Sequence, residues 1–211
     1  MDENALFQQK LPEAFYLRKN VLQIAQDLIG KLLVSVQEGQ LVAARIVETE
    51  AYAGAVDKAS HAYNNRRTTR TEVMFGKGGQ AYVYLCYGMH HLFNVVTNQE
   101  DIPHAVLIRA GEIVLGESVV QHRYRAIKMD HRFGKGPGNL SKALGITTTL
   151  TGTSLQTDNL FIADDGHRIP RKQIIATPRI GVDYAGADAL LPYRFIVAGH
   201  PAVSGKKTFK I

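Results

Sequence analysis

At 211 residues the chain is long enough to hide roughly 70% of its extended-chain surface in one core. Its formal net charge of +6 and pI of about 9.4 favour a polyanionic partner, and its single cysteine, Cys86, excludes an internal disulfide and makes a reducing compartment the default. The stretch MDENALFQQKLPEAF carries acids and no continuous apolar region, which argues against an ordinary signal peptide, and no run approaches the roughly 20 apolar residues of a membrane span.

Asn20 is placed to cap a helix whose apolar residues Val21, Leu22, Ile24, Ala25, Leu28 and Ile29 form one stripe, ending at Gly30. KLLVSV and LVAARIVETE around QEGQ read as two strands of a hairpin, QAYVYL and HHLFNVV around CYGM as a second hairpin, and AVLIRA as a further strand. A helix is predicted from Glu112 to Ile127, and a shorter one in GNLSKALG that ends at Gly145. The remainder, with LFIAD, QIIAT, PRIGV and YRFIVAG, reads as mostly short strands and turns. There is no internal repeat and no linker-like break, so the expected fold is one α+β domain over residues 1–211. Its curved, mainly antiparallel sheet is flanked by helices and carries a protruding hairpin.

Within RIVETEAYAG, side chains of a strand alternate, so Glu48, Glu50 and Tyr52 point one way and Val47, Thr49 and Ala51 the other. Two carboxylates sharing a face with an aromatic are either a solvated sheet edge or the floor of an active site. Five of the nine tyrosines, Tyr52, Tyr63, Tyr82, Tyr84 and Tyr87, fall in the short interval after Glu50, in a chain without Trp. Aromatics beside basic loops suit base stacking, while core packing is the rival reading for Tyr82 and Tyr84. Tyr87, at the hairpin tip before Gly88, has nothing of its own domain to pack on and should project outward, as a wedge that enters a base stack does. A three-residue loop Cys86–Gly88, with Gly88 left-handed, would pair Leu85 with Met89 and Tyr84 with His90, placing Tyr84, Leu92 and Asn94 on one face.

Positive charge is clustered: Lys58 to Gln80 holds five basic residues against Glu72, and His122 to Lys142 six against Asp130. Both segments are either solvated faces or phosphate-contacting surfaces. The tail GKKTFKI adds three lysines and reads as a solubilising end. His90, His91 and His104 do not make a metal site by spacing, since adjacent strand residues point to opposite faces and neither HExxH nor CxxC occurs. GKGPGN lacks the Walker spacing, although a helix N-terminus there is enough to touch a DNA phosphate.

The stretches RIVETEAYAG, ASHAYNNRRTTRTEVMF, YVYLCYGMHHLFNVV, AVLIRA, GKGPGNLSKALGI and PRIGVDYAG together resemble one family, the alkyladenine (3-methyladenine) DNA glycosylases of the mammalian type. The six cover most of the chain in one order. By position, the resemblance implies that Glu50 is the catalytic carboxylate and that Arg109 lies near the reacting sugar and its phosphate. It implies that Tyr52, His61 and Tyr84 wall the pocket for a flipped base, that Asn94 excludes the amino group of normal guanine, and that Tyr87 intercalates. Arg66, Arg67, Arg70, Met89, His90, Lys135 and Lys142 are the candidates for contact with the DNA backbone. His90 stands where the vertebrate pattern has an aromatic, and the short N-terminus fits a bacterial-type member.

The expected activity is therefore base-excision repair of duplex DNA containing damaged purines: 3-methyladenine, 7-methylguanine, hypoxanthine or ethenoadenine is flipped out and its N-glycosidic bond hydrolysed by a Glu50-activated water. No lysine is placed by the resemblance for a Schiff base, so the product is an abasic site without strand cleavage. Glu48 is expected to hold a structural or orienting hydrogen bond, and Arg109 read alone is a buried ion-pair partner, for example of Glu50. No cofactor, no metal and no membrane partner are expected, and the protein should act as a cytoplasmic, nucleoid-associated monomer. Two rivals remain. A non-catalytic damage or minor-groove binder would keep the basic loops and Tyr87 without needing Glu50. A carbohydrate hydrolase would use Glu48 and Glu50, roughly 6.5–7 Å apart by backbone rise, as acid and base.

Overall fold

The computed structural model describes residues 3–205, so the tail lysines Lys206, Lys207 and Lys210 lie outside the described residues. Two short helices not predicted from the sequence, α1 (Glu3–Gln8) and α2 (Glu13–Tyr16), precede α3 (Val21–Asp27). Asn20 Oδ1 accepts from the amides of Leu22 and Gln23 at 3.0 and 3.1 Å, the reason α3 starts where it does. The helix stops at Asp27, two residues before the end of the apolar stripe, and the chain turns through Gly30 at φ +89°.

β1 (Leu32–Gln37) and β2 (Gln40–Tyr52) form the first hairpin, turned by Glu38 and Gly39 with φ of 53° and 73°, the handedness that suits strand twist. β3 (Ala81–Cys86) and β4 (His90–Thr97) form the second. β5 (His104–Leu115) is followed by α4 (Glu117–Tyr124), α5 (Pro137–Leu144), β6 (Leu160–Ala163), β7 (Ile174–Thr177) and β8 (Arg194–Val197). All eight strands join one sheet in the order β3-β4-β5-β2-β1-β6, with β8 paired to both β2 and β7, and every pairing between these strands is antiparallel.

Two expectations are corrected. The helix predicted from Glu112 to Ile127 begins only at Glu117, because Gly111–Leu115 continues β5 and pairs with Ala43–Ile46 of β2. The β-branched Ile113 and Val114 suit that strand, and Gly116 at φ +79° ends it. The second hairpin turns through Tyr87–Met89 and pairs Cys86 with His90 and Tyr84 with Leu92. Both Tyr87 and Gly88 take positive φ, 51° and 69°, and the Met89 amide donates to the Cys86 carbonyl at 3.1 Å. The turn thus needs two left-handed residues instead of Gly88 alone, which moves the register by two places. A shift of two preserves parity, so Tyr84, Leu92 and Asn94 do share a face.

The register carries one row of side chains straight across the sheet: Tyr82 opposes Asn94, Asn94 opposes Leu107, Leu107 opposes Glu50, and Glu50 opposes Arg194. Directly opposed residues present side chains to the same face. The other face, with Ala51, Val83, Phe93, Val95, Val106 and Ile108, enters the main core with Val21, Ile24 and Ala25 of α3 and with Leu28 just after it. Thr49, also on that face, donates its hydroxyl to the Ala25 carbonyl at 2.9 Å. β2 is therefore a central strand buried on both faces, and the solvated-edge reading of Glu48 and Glu50 is excluded.

Candidate active site

Glu48 and Glu50 are both 0% exposed. The side chain that reconciles them with burial is Arg109, and its placement comes from an irregularity in the pairing of β2 with β5. Ala110 opposes Glu48 and Ile108 opposes Thr49, so Arg109 between them is passed over by the ladder. A bulge of this kind re-aims a side chain. Arg109 donates from Nε to Glu48 Oε1 at 3.0 Å and from Nη1 to Glu50 Oε2 at 3.3 Å.

The two carboxylates differ in what else they hold. Glu48 Oε1 also accepts from Arg194 Nε at 2.7 Å and the Ser204 hydroxyl at 2.8 Å, and its Oε2 accepts from the Ser204 amide at 2.6 Å. Glu50 Oε1 accepts from the Ile180 amide at 2.8 Å, and its Oε2 from the Tyr52 hydroxyl at 2.8 Å. A carboxylate offers about four acceptor positions. Glu48 thus has four donors, two of them guanidinium groups, with three on Oε1 and one on Oε2, whereas Glu50 has three, one on Oε1 and two on Oε2.

Burial alone would raise the Glu48 carboxyl, but the guanidinium groups of Arg109 and Arg194 and the Ser204 amide outweigh it and hold it below the ordinary carboxylate range. The Tyr52 hydroxyl moves the other way, well up, through burial and the nearby Glu50 charge, so it stays protonated and can donate. Ionised and held by two guanidinium groups, Glu48 has no proton to give, which removes the general acid that a carbohydrate hydrolase reading requires.

Above these residues lies a cavity of about 460 Å³ whose lining includes Tyr52, His61, Tyr84, Asn94 and Arg109, with Glu50 buried beneath. His61 meets Tyr84 edge-on at 4.7 Å between ring centroids, and Tyr82 lies 5.5 Å from Tyr84. His61 Nδ1 is 2.8 Å from the Tyr82 hydroxyl. Burial, with the charges of Arg70 and Arg66, pushes the imidazole down to about 4, so the ring is neutral at physiological pH. Asn94 is buried and its Nδ2 donates to the carbonyls of Tyr82 and Leu92 at 3.1 and 3.3 Å, which fixes the amide at the cavity floor.

The cavity mouth is framed by the hairpin tip and by residues 135–139. Tyr87 is 88% exposed and Met89 70% exposed, and Tyr87, His90 and Lys135 border the cavity. The 135–139 segment is delivered there by close backbone packing. A Cβ on Gly134 would lie 1.8 Å from the Gly111 carbonyl oxygen, so glycine is required there, and one on Gly138 would lie 2.9 Å from the ring of exposed His90, which would have to move aside.

The other basic candidates separate. Arg66 and Arg70, both exposed, line an adjoining cavity of about 470 Å³ and have no carboxylate partner among the described residues. Arg70 also lies with its guanidinium carbon 4.9 Å from the Tyr84 ring. Arg67 is instead held by its own surface, donating to both Glu72 oxygens at 2.9 and 2.7 Å and to Asp101 at 2.8 Å. Lys142 stands apart from the cavity, with Nζ 4.4 Å from the Tyr124 ring.

Sequence reading did not single out Arg194, Ser204, Asp57 or Arg179 as site residues. Arg179 lies in the quoted PRIGVDYAG stretch, but Arg194 and Ser204 reach Glu48 from 146 and 156 residues away and carry no local signal.

A family model described as methylpurine-DNA glycosylase matches residues 14–201. Among similar curated proteins, one from Methanocella arvoryzae is 47% identical over 194 residues, 92% of this chain and 95% of that protein. One from Chlamydia pneumoniae is 47% identical over 197 residues, covering 93% and 98%, and one from Bacillus thuringiensis is 46% identical over 203 residues, covering 92% and 98%. Each is named "Putative 3-methyladenine DNA glycosylase".

The charge cluster sets a pH signature. Breaking a buried ion pair costs about 3–5 kcal/mol, so Glu48→Gln is expected to lower stability by that amount at neutral pH. Because the folded-state pKa of Glu48 is depressed, its contribution is present above the ordinary value of 4.5 and is lost as the pH falls through the folded value. Urea unfolding of the two proteins across this range should show their difference shrinking below pH 4.5. A difference independent of pH would contradict this.

Proposed function

The chain belongs to the methylpurine-DNA glycosylase family, and from that premise we propose that it excises alkylated or deaminated purines from duplex DNA as a monofunctional glycosylase, with Glu50 as general base. The observation that carries the reading is the unequal filling of the two carboxylates. Glu50 has one donor fewer than Glu48 and all three, from Tyr52, Arg109 and Ile180, come from residues that line the cavity, while Glu48 is also held by Arg194 and Ser204, which do not.

In this account a water held by Glu50 gives a proton to the carboxylate as its oxygen bonds to C1′. The bond to the purine nitrogen breaks with its electron pair leaving on the base, through an oxocarbenium-like state that the carboxylate charge stabilises. A cationic purine such as 3-methyladenine or 7-methylguanine departs without a further proton. Neutral hypoxanthine and ethenoadenine need leaving-group protonation, which neutral His61 is poorly suited to supply.

Taking the base out of the stack costs a few kcal/mol, and stacking on an aromatic returns about 1–3 kcal/mol per base. Tyr52 and Tyr84 provide such faces, which also attract a cationic purine, and exposed Tyr87 is the wedge that fills the vacated place in the duplex. Asn94 discriminates against the exocyclic amino group of guanine. Lys135 is the lysine along the cavity among the described residues, and it belongs to the rim, where a phosphate contact suits it better than Schiff-base chemistry.

Incubation with alkylated duplex DNA should release free 3-methyladenine and leave unbroken abasic strands, and borohydride should trap no covalent complex. A trapped complex that depends on one lysine would overturn the monofunctional assignment. The salt dependence of binding separates the arginines: Arg66→Ala and Arg70→Ala should each reduce the slope of log K against log salt by about one. Arg67→Ala, removing a guanidinium already paired with Glu72 and Asp101, should leave the slope unchanged. Equal slopes for all three variants would count against this division.

A further inference from the structure

Behind the cavity wall sits an ion pair that the proposed chemistry does not use. The side chains of Arg179 and Asp57 are 0% and 1% exposed, and they meet through two hydrogen bonds of 2.5 and 2.8 Å. Asp57 also accepts from the amides of Ala53 and Ala59, each at 3.0 Å, and so fixes the loop leading from Tyr52 toward His61. Arg179 donates to the carbonyl of Ala51, between Glu50 and Tyr52, at 2.9 Å, and to that of Asp188 at 3.1 Å. Its guanidinium carbon lies 4.8 Å from the centroid of the Tyr52 ring and 5.2 Å from that of Tyr193. The next residue, Ile180, is the one whose amide holds Glu50 Oε1 at 2.8 Å.

We propose that Arg179, locked by Asp57, is a positioning residue that sets the Tyr52 ring against the flipped base and the Ile180 amide against Glu50, so that stacking wall and general base stay in register. The proposal rests on the glycosylase reading of the cavity. Fold stability alone is a weak reason for this pair. Apolar residues of similar volume often replace buried ion pairs without loss, and Arg179 Nε is buried with no partner among the described residues. An apolar side chain cannot supply the planar cation on the back of Tyr52 or the fork that ties Ala51, Asp57 and Asp188 together. Lysine keeps the charge but has no planar fork, so it also fails to reproduce the geometry.

The test uses three variants, Arg179→Met, Arg179→Lys and the double Arg179→Met/Asp57→Asn, which leaves no unpaired buried charge. Each is compared with the wild type in single-turnover release of 3-methyladenine at saturating protein, in affinity for duplex DNA carrying an abasic-site analogue, and in thermal unfolding. Since a misplacement of about 1 Å can cost on the order of 10²-fold, the double and lysine variants should release base on the order of 10²-fold more slowly with DNA affinity near the wild-type value. That deficit should persist in whichever variant recovers wild-type melting. Recovery of melting together with full release rate would overturn the proposal, leaving an ion pair that serves only the fold. So would a loss of DNA affinity with the saturated rate unchanged. Failure of the wild type itself to release base would overturn the glycosylase reading, a result separate from either.

Discussion

Two carboxylates on one central strand, neither exposed to solvent, are met by the guanidinium groups of Arg109 and Arg194, and much of the architecture serves to keep those four groups in register. Arg109 reaches both acids because it is the residue the β2 and β5 ladder passes over. Arg194 arrives on β8, which covers the second half of β2 after β1 has covered the first. Ser204 closes the cluster from near the end of the described chain, with its amide and hydroxyl on Glu48 and its hydroxyl 3.3 Å from Arg109 Nη2. Removing any one leaves a buried charge or lone pair uncompensated, and the same cluster orients Glu50 through Arg109.

The same row of paired residues connects that cluster to recognition. Tyr82, Asn94, Leu107, Glu50 and Arg194 stand side by side on five strands, so the pocket floor inherits the rigidity of the sheet. The irregular segments lie around it: the Tyr87 turn, Lys135 and Gly136 before α5, the stretch from Lys58 to Thr71, and residues 180–184. A rigid floor with loop-borne contacts at the mouth suits an enzyme that must grip a long, uniform backbone while holding one base to fine tolerance.

What could be read in the sequence followed from local periodicity. Alternation placed Glu48, Glu50 and Tyr52 on one face, and the common face of Tyr84, Leu92 and Asn94 survived a register error of two because only odd slips change faces. The run from Glu112 to Leu115 is apolar enough for either helix or strand, and the choice was made by pairing with residues nearly 70 positions earlier. Arg67 looked like its neighbours Arg66 and Arg70 by composition, but Glu72 and Asp101 claim it in space. Arg194 and Ser204 carry no local signal because their partner Glu48 is more than 140 residues away, and Arg179 sits within a motif stretch but its partner Asp57, 122 residues away, shows only in the fold. The quoted motif stretches pointed to the cavity residues. The shell that aims them is visible only when the chain is folded.

The proposed reaction depends on Glu50 as the carboxylate that takes the proton from water. The most direct test is single-turnover release of 3-methyladenine from alkylated duplex DNA by Glu50→Gln against the wild type, with DNA binding measured in parallel. A glutamine cannot accept the proton from water, so release should fall by on the order of 10²–10⁴-fold while binding is retained. Release at close to the wild-type rate by the glutamine variant would contradict the assignment and return Glu50, with Glu48, to a purely structural place in the sheet.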